Sequence, residues 1–467
     1  MMTNFKYTLV KFRLFTRLRV FHARKGEEGF VIYLVVVVIF VIGLYVELLI
    51  ASQYISAIGI QRKLCDLQAR VCAYSGLNLS MAYLDGLEGH DFTWQTDKVT
   101  RDLGKFGSVV VNAKDEGGWL RVTSTGFFGK DTCTLVGTLG QTPPSFTSNA
   151  LNISQSTGNI VIADRANLLG NLGIKSGGVI LKNNGVFTGV VKPLQIAVYN
   201  DTVIEEEVSQ AANFFNQGNP AGFVSTSSDL KSSLQSMRAI GNTELYIPSD
   251  ITIQSDSIDC KDATIRVRGN LTLAQSVRLK NAHVYVLGEI DIKDLAAVQK
   301  STLISLGKVR INGQASVQGT VAGCDSMIVE ENARFFYPSF IYLSSNNAIN
   351  RFSNGVIIIQ DEAVIRGTIA TARFGLDSYQ PRVMLLSKAK VHGFIACPAT
   401  ATLYGNVAGS VYVGENVYRY QKNIYENWLK EAGIKSIDLS ASTIPLLFPS
   451  EGHPQYLHIA FAGKSYD

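Results

Sequence analysis

The sequence predicts a mainly β protein: an N-terminal transmembrane helix with a small β module, then a right-handed parallel β-helix with a helical insertion and a C-terminal helical cap. Three observations carry this prediction. Residues 30–46 form an apolar run without charge, a pattern of 18–19 residues recurs from residue 160 onward, and 41 glycines accompany only 17% charged residues. Abundant glycine with low charge suits a chain of many tight turns. The length of 467 residues allows two or three domains.

The excess of basic residues lies at the N-terminus. Residues 1–29 hold seven basic and two acidic side chains, whereas the rest of the chain balances 36 basic against 36 acidic. This distribution accounts for the whole net charge of +5. No nucleic-acid partner is therefore expected, because such partners call for a broad basic surface. Residues 1–29 are interpreted as a basic targeting leader.

The apolar run that follows predicts a membrane anchor. It extends from Phe30 to Ala51 if Glu47 is tolerated. That length suits a spanning helix, which needs ~20 residues, and exceeds the apolar core of a secretion signal. Basic residues on its N-terminal side place the leader in the cytoplasm and the bulk of the chain beyond an inner membrane. Glu47 is then an intramembrane charge that either pairs with a partner group or reaches the outer interface.

Residues 52–142 predict a helix followed by a small antiparallel β module. Over 53–84 the apolar residues recur at spacings of three and four, as on one face of a helix. Over 107–140 three short β patterns are separated by Gly117-Gly118 and Gly129-Lys130. We therefore expect one long helix that leaves the membrane and packs on a few strands.

The N-terminal region resembles the type IV pilins and the type II secretion pseudopilins. The likeness covers about residues 25–140 and centres on the boundary between Gly29 and Phe30, where a basic leader meets an apolar helix. It implies that a prepilin peptidase cuts after Gly29 and leaves Phe30 as the N-terminus. The fifth mature residue is Glu in major pilins but Leu34 here, which points to a minor subunit. The resemblance also implies an assembly platform and other pilin-like subunits as partners.

The remaining chain predicts a solenoid. The Pro143-Pro144 pair marks a linker over 143–157. Beyond it, the first and third positions of each copy are aliphatic, the seventh is small, the ninth is mostly large and the eleventh is often Gly. Copies begin at Ile160, Val179, Leu271, Ile290, Val309 and Met327. Alternating side chains indicate short strands, recurrent Gly indicates corners, and such coils must stack to bury their inner faces. A parallel β-helix is therefore expected over 158–413.

Two stretches depart from the repeat. Residues 193–245 form an insertion in which 201–218 and 227–241 have the pattern of short amphipathic helices. Residues 414–467 are predicted as a helical cap and tail, the cap covering the exposed edge of the last coil. Its apolar stripe at helical spacing consists of Val417, Tyr420, Ile424 and Trp428. The coil length also loosely resembles that of bactofilins, β-solenoids that polymerise, although bactofilins lack such an insertion and N-terminus.

The sequence carries no catalytic, cofactor-binding or metal-binding motif that we recognise. The strongest cluster of charged residues is Asp256, Asp259, Asp262, Arg266 and Arg268. It could line a groove of the kind that β-helix enzymes use on acidic glycans, but alternating polar residues on a solvent-facing strand explain it more simply. No cofactor is expected, and the six cysteines lack a metal-ligand spacing. The chain is expected not to be an enzyme.

Together these features predict a minor pilin-like or pseudopilin-like subunit of a bacterial filament or secretion machine. The β-helix would serve as a structural, tip or adhesive module, with a glycan or another surface ligand as a partner. Two alternatives stay open at this point. One is a single-pass membrane scaffold that keeps its leader, and the other is a membrane-tethered enzyme that acts on polysaccharides.

Overall fold

The structure is a computed structural model. It describes residues 28–85, 99–194, 202–217, 223–224, 229–254, 257–345, 355–374, 380–439, 444, 446 and 454–466. The chain divides into two compact units, Met1–Gln68 and Ala69–Asp467. The basic leader lies outside the described residues, apart from its last two positions.

Helix α1 (Glu28–Asp85) is 58 residues long, about 87 Å at 1.5 Å per residue. Its N-terminal part carries apolar side chains around its whole circumference, and they are exposed: Ile39 by 63%, Ile42 by 56% and Leu48 by 67%. It is the one helix in the described part of the chain that is long and apolar enough to cross a membrane. The predicted anchor over 30–51 therefore lies within a continuous helix.

The C-terminal part of α1 packs on a small antiparallel sheet. That sheet contains β1 (Val99–Asp102), β2 (Ser108–Asp115), β3 (Leu120–Phe128), β4 (Asp131–Gln141) and the last strand of the chain, β32 (Pro454–Tyr466), which pair in this order. A short 3₁₀ turn at Gly104–Phe106 joins β1 to β2. Helix residues Ala69, Ala73 and Leu77 are buried against the sheet. Small residues allow this close approach, because a Cβ on Gly126 would lie 2.2 Å from the Ala69 carbonyl oxygen.

The last strand of the chain, β32, completes this sheet. This strand lies in the region that the sequence predicts as a C-terminal tail. β32 pairs along the whole of β4, and Tyr456 donates its hydroxyl to the Leu77 carbonyl of α1 at 2.7 Å. Burial raises the pKa of Tyr456 to about 12. Because β4 and β32 are neighbours in space, everything between residues 141 and 454 is an insertion into the small module.

The inserted domain is a parallel β-helix with three faces, as predicted. Face 1 contains short strands: β6 (Ile160–Ala163), β9 (Val179–Leu181), β14 (Ile251–Ile253), β16 (Leu271–Leu273), β18 (Ile290–Ile292), β20 (Val309–Ile311), β22 (Ser326–Val329), β24 (Val356–Ile359), β26 (Val383–Leu385) and β30 (Trp428–Lys430). Partners along this face are usually 18 or 19 residues apart, as in Leu271↔Ile290, Ile290↔Val309 and Val309↔Met327. The partners form a buried aliphatic column.

Face 2 and face 3 are often made by one strand that bends at a corner. These long strands are β15 (Ser257–Val267), β17 (Arg278–Val286), β19 (Ala297–Ser305), β21 (Ser316–Gly323), β23 (Arg334–Leu343), β25 (Val364–Thr371), β27 (Lys390–Leu403) and β28 (Asn406–Tyr420). The short strands of face 2 are β7 (Asn167–Leu169), β10 (Val186–Thr188) and β31 (Gly433–Lys435). The short strands of face 3 are β5 (Leu151–Ile153), β8 (Leu172–Ile174), β11 (Val191–Pro193), β12 (Phe223–Val224) and β13 (Glu244–Ile247).

Glycine makes the corner between faces 2 and 3 in several coils, as the repeat predicted. Gly367 and Gly393 have φ of +154° and +143°, in the region that L side chains avoid. A Cβ on Gly393 would lie 2.0 Å from the Gly367 carbonyl oxygen of the neighbouring coil. Glycine at this place is therefore required both by the backbone angle and by the stacking distance.

The coils do not stack in sequence order, which the repeat alone did not reveal. The first coils pair with the last ones: β7 pairs with β31, and β5 pairs with β28. One coil is therefore composite, with β30 and β31 on faces 1 and 2 and β5 on face 3. The predicted linker over 143–157 contains this β5 and a 3₁₀ turn at Ser145–Ser148. After β11, the chain crosses to the opposite end of the stack. The following coils then stack one on another until the last of them pairs with the first coils of the solenoid.

Two helices make this crossing, as predicted for the insertion. Helix α2 (Thr202–Gln217) buries Ile204, Val208 and Ala211 against the outer side of face 3. Its Glu205 carboxylate accepts hydrogen bonds from the Tyr342 hydroxyl at 2.9 Å and the Ser344 hydroxyl at 2.8 Å. Helix α3 (Leu230–Ala239), capped by Asp229, buries apolar side chains in the core beside β13. The far end of the stack is thus closed by the insertion.

The predicted helical cap at 414–434 is wrong. β28 continues to Tyr420 and turns back through β29 (Asn423–Glu426), after which β30 and β31 follow as solenoid strands. The turns are made by Gln421, Asn427 and Glu431, all with positive φ although none is Gly. None of these residues is Gly or Pro, so the apolar spacing of the sequence favours a continuous helix where the structure has strands.

Candidate functional site

The predicted processing site lies at the start of α1. Gly29 and Phe30 fall one and two residues after the first helical residue, Glu28. Their side chains are outside the described part of the structure, and so are residues 1–27. Cleavage after Gly29 therefore stays a prediction.

The apolar part of α1 is an exposed surface that needs a non-aqueous environment. Leu34, in the place where the resemblance expects Glu, is 50% exposed, and its neighbours around the helix are exposed to a similar degree. Glu47 is the one acidic residue between Phe30 and Ala51. Burying such a surface in lipid or against other apolar helices would be strongly favourable, at roughly 25 cal/mol per Å².

A joint fixes the small sheet to the side of the β-helix. The tip of the β2–β3 hairpin touches the corner of faces 2 and 3, where the Thr320 hydroxyl donates to the Gly117 carbonyl at 2.6 Å. Glu116 forms an ion pair with Lys300 at 3.0 Å, and Asp115 lies 3.7 Å from His283. Trp119 is only 1% exposed and packs against the outer side of face 3. Hydrogen bonds, charge and apolar burial together hold the two parts of this unit in one arrangement.

The predicted Asp/Arg cluster does not converge on one groove in the described residues. Asp259 lies at a turn, where it accepts from the Asn281 side-chain amide at 2.8 Å and the Lys261 backbone amide at 3.0 Å. The Asn281 hydrogen bond is the main cause that lowers the pKa of Asp259. Arg268 is exposed. Asp256 and the side chain of Asp262 lie outside the described residues.

Arg266, the remaining member of that cluster, has a packing role on the outer side of face 3. Its guanidinium lies 4.1 Å from the Phe214 ring centroid and 5.2 Å from that of Tyr285, and it pairs with Glu244 at 3.5 Å. The Tyr285 hydroxyl donates to Glu207 of α2 at 2.9 Å. Burial and the nearby Glu207 charge raise the pKa of Tyr285 well above its ordinary value. These contacts attach α2 to the solenoid, and a cavity of about 270 Å³ remains beside them.

Sequence reasoning missed a larger cavity at the corner of faces 2 and 3. It has a volume of about 490 Å³, and its lining includes Tyr337, Arg366, His392 and Asp438. Arg366 and His392 each precede a corner glycine, Gly367 and Gly393. The tenth position of the repeat points outward, next to a corner glycine that has no side chain. A basic residue at this position was the sequence signal from which the cavity could have been predicted.

The cysteines and acidic residues give no metal centre among the residues that the structure describes. All six thiols are free, and five of them are buried, with Cys65 intermediate. Burial raises the pKa of Cys324 to about 12 and that of Cys397 to about 11. Such thiols are poor nucleophiles, since the thiolate is the reactive form.

Comparison with known proteins adds little. No family model and no curated protein matches the chain. Among solved structures, the competence-associated pilin ComZ from Thermus thermophilus aligns with 12% identity over 86% of this chain and 98% of its own, with a TM-score of 0.22. A TM-score of this size does not establish a shared fold and carries no inference about function.

Proposed function

We propose that the chain is a minor pilin-like or pseudopilin-like subunit of a bacterial type IV filament or secretion machine. The observation that carries this proposal is the division of α1 into two parts. Its N-terminal part exposes apolar side chains on all sides, and its C-terminal part is buried on an antiparallel sheet. One helix thus serves both as a membrane or filament segment and as the core of a folded module.

In this proposal the peptidase cuts between Gly29 and Phe30 on the cytoplasmic face of the inner membrane. The apolar segment first spans the bilayer and then packs among the helices of other pilin-like subunits on an assembly platform. Glu47 supplies a carboxylate for a partner group, since an unpaired charge in apolar surroundings is costly. Leu34 stands where major pilins have Glu as the fifth mature residue. This suits a minor subunit, which does not make the contact of that Glu.

The β-helix is proposed as the module that this subunit displays. Its insertion between β4 and β32 and the joint at Gly117 and Trp119 would give it a fixed attachment. A rigid module of this kind suits a tip, an adhesin or a periplasmic scaffold. The role is mechanical, and we propose no catalysis.

A single-pass scaffold that keeps its leader is the second candidate. It is favoured by the same exposed helix and requires no peptidase. A membrane-tethered enzyme for polysaccharides has less support, because Asp259 and Arg266 are engaged in separate structural contacts.

The mature N-terminus distinguishes the two leading candidates. We expect intact-mass or Edman analysis of the membrane-extracted protein to show a chain that starts at Phe30, and Gly29→Ala to block the cleavage. Gly43→Ala is the matched control, since a Cβ there meets nothing within 4 Å and processing should be unchanged. A wild-type chain that keeps residues 1–29 would contradict the pilin proposal and leave the scaffold.

A further inference from the structure

The cavity at the corner of faces 2 and 3 has the size of a small-molecule site. Its volume of about 490 Å³ falls within the range of roughly 300–1,000 Å³ for ligand pockets. Gly367 and Gly393 contribute only backbone to its wall, while Ile437, Asp438 and Leu439 line it from the segment after β31. It therefore combines a solenoid corner with a separate chain segment.

Two basic residues, Arg366 and His392, line this cavity. Arg366 and His392 are register partners on adjacent strands of face 2, and both are exposed. Within the described part of the chain, neither forms an ion pair. Some other cations of the β-helix do form ion pairs, as Arg310 does with Glu330 and Lys388 with Glu362 at 3.4 Å. A guanidinium without a carboxylate partner next to a cavity is available to an anionic ligand.

Among the described residues that line the cavity, only one carries a permanent positive charge. Arg366 supplies it, and the Asp438 side chain brings a carboxylate to the same lining. Partial burial of the imidazole, with the charges of Arg366 and Lys390, lowers the pKa of His392. The imidazole is then mostly neutral at neutral pH and can both donate and accept hydrogen bonds. This arrangement suits one anionic group accompanied by hydroxyl groups.

We propose that this cavity binds a sugar that carries a carboxylate, such as a uronic acid unit of an acidic glycan. Arg366 binds the carboxylate, in the bidentate geometry that guanidinium groups prefer. His392 and Asp438 hydrogen-bond the hydroxyl groups, and the half-buried Tyr337 ring offers an apolar surface to the sugar ring. The proposal names a ligand for the displayed β-helix, but it does not depend on the membrane helix or on processing at Gly29.

A nucleic acid or a polyphosphate fits this cavity less well. Binding to phosphate polymers depends on several cationic side chains along the backbone of the ligand. Here the lining combines one guanidinium with an acidic side chain and an imidazole with a lowered pKa. This lining therefore favours a ligand with a single negative charge at the cavity over a polymer with closely spaced negative charges.

The test is calorimetric titration of the full chain in a nonionic detergent with disaccharides of galacturonate, glucuronate and mannuronate. We expect at least one of them to bind, and Arg366→Gln to weaken its binding roughly tenfold or more, as for a lost charge-assisted hydrogen bond. His392→Gln should keep part of the affinity. Arg334→Gln is the matched control, since Arg334 is exposed on face 2 one coil away and does not line the cavity.

Several outcomes would overturn the proposal. They are no binding of any of the three disaccharides by folded protein at millimolar concentration, unchanged affinity in Arg366→Gln, or an equal loss in Arg334→Gln. Tighter binding of a single-stranded oligonucleotide that Arg366→Gln abolishes would also refute it. Circular dichroism of each variant verifies folding. Because the titration does not require cleavage at Gly29, a failure here leaves the filament proposal standing, and the reverse also holds.

Discussion

Replacing Gly126 by Ala tests whether α1 and the small sheet form one packed core. The added Cβ would lie 2.2 Å from the Ala69 carbonyl oxygen and 2.4 Å from the Ala73 amide nitrogen. Ordinary contact begins at 3.4 Å, so helix and strand must separate by about 1.2 Å, the difference between the two distances. Both obstacles are backbone atoms, so no side chain can rotate out of the way.

The expected cost follows from two contributions. Overpacking of a well-packed contact costs about 1–3 kcal/mol. A separation of this size also stretches the hydrogen bond that the Ser124 hydroxyl donates to the Ala73 carbonyl at 2.7 Å, which is worth about 1 kcal/mol. We expect the helix–sheet contact to open with a free energy lower by about 2–4 kcal/mol, or roughly 30- to 800-fold more often.

Thiol labelling at Cys72 measures this opening. Cys72 is 1% exposed at the same contact, and its thiol donates to the Phe106 carbonyl at 2.9 Å. Labelling with a maleimide, followed by peptide mass spectrometry, should accelerate at Cys72 by the factor given above, because buried groups react from opened states. Cys397, fully buried in the β-helix, should keep its rate and serves as an internal control.

Gly158→Ala is the matched substitution, since a Cβ there meets nothing within 4 Å. It should leave the Cys72 rate unchanged. If Gly126→Ala also leaves that rate unchanged, the close packing of α1 on β3 is refuted. Equal acceleration at Cys72 and Cys397 would show global rather than local opening and would refute the assignment of the effect to this contact.

Two further predictions concern the β-helix. Trp119→Ala should lower the free energy of unfolding by about 3–5 kcal/mol in urea titrations, because its ring is buried at the joint between hairpin and solenoid; a loss below about 1 kcal/mol would contradict that role. Alkaline pH should destabilise the fold partly through Cys324, whose pKa burial raises to about 12. The unfolded chain loses this thiol proton first, so stability is full below the unfolded-state pKa and falls as the pH rises above it. The midpoint of urea unfolding should fall between pH about 8.5 and 10.5, and it should fall less steeply in Cys324→Ala than in the wild type. An equal slope in both proteins would contradict the prediction.

The sequence was most informative where one residue type is forced by one physical requirement. The aliphatic column that includes Leu271 and Ile290 and the corner glycines at 367 and 393 follow from burial and from backbone angle, so the repeat predicts both. The stacking order does not follow in this way. Leu151 pairs with Val411, yet every coil offers a similar aliphatic edge, and nothing local distinguishes this partner from another. Long-range pairing between equivalent coils is decided by the path of the insertion.

The candidate cavity shows the same limit. The outward place of Arg366 and His392 follows from their position in the repeat, since both precede a corner glycine. Their adjacency does not, because they are 26 residues apart, which is longer than the usual coil length of 18 or 19 residues. The contribution of Asp438 depends on where the chain goes after β31, which no repeat specifies.

The insertion topology has a mechanical consequence for the β-helix. The inserted domain is entered from β4 and left through β32, which are hydrogen-bonded neighbours in the small sheet. A force applied to the β-helix is therefore divided between two adjacent strands, and α1 is packed on the same sheet through Leu77 and its hydrogen bond from Tyr456. Removing the β-helix under load would require β32 to be stripped from β4 along its whole length.

The composite coil acts similarly within the solenoid, because β5 is held between β28 and β8. At the other end of the inserted chain, β31 lies between β28 and β7. The first and last solenoid segments on either side of the insertion are thus hydrogen-bonded on both sides, as the proposed load-bearing role in a filament or a secretion machine would require.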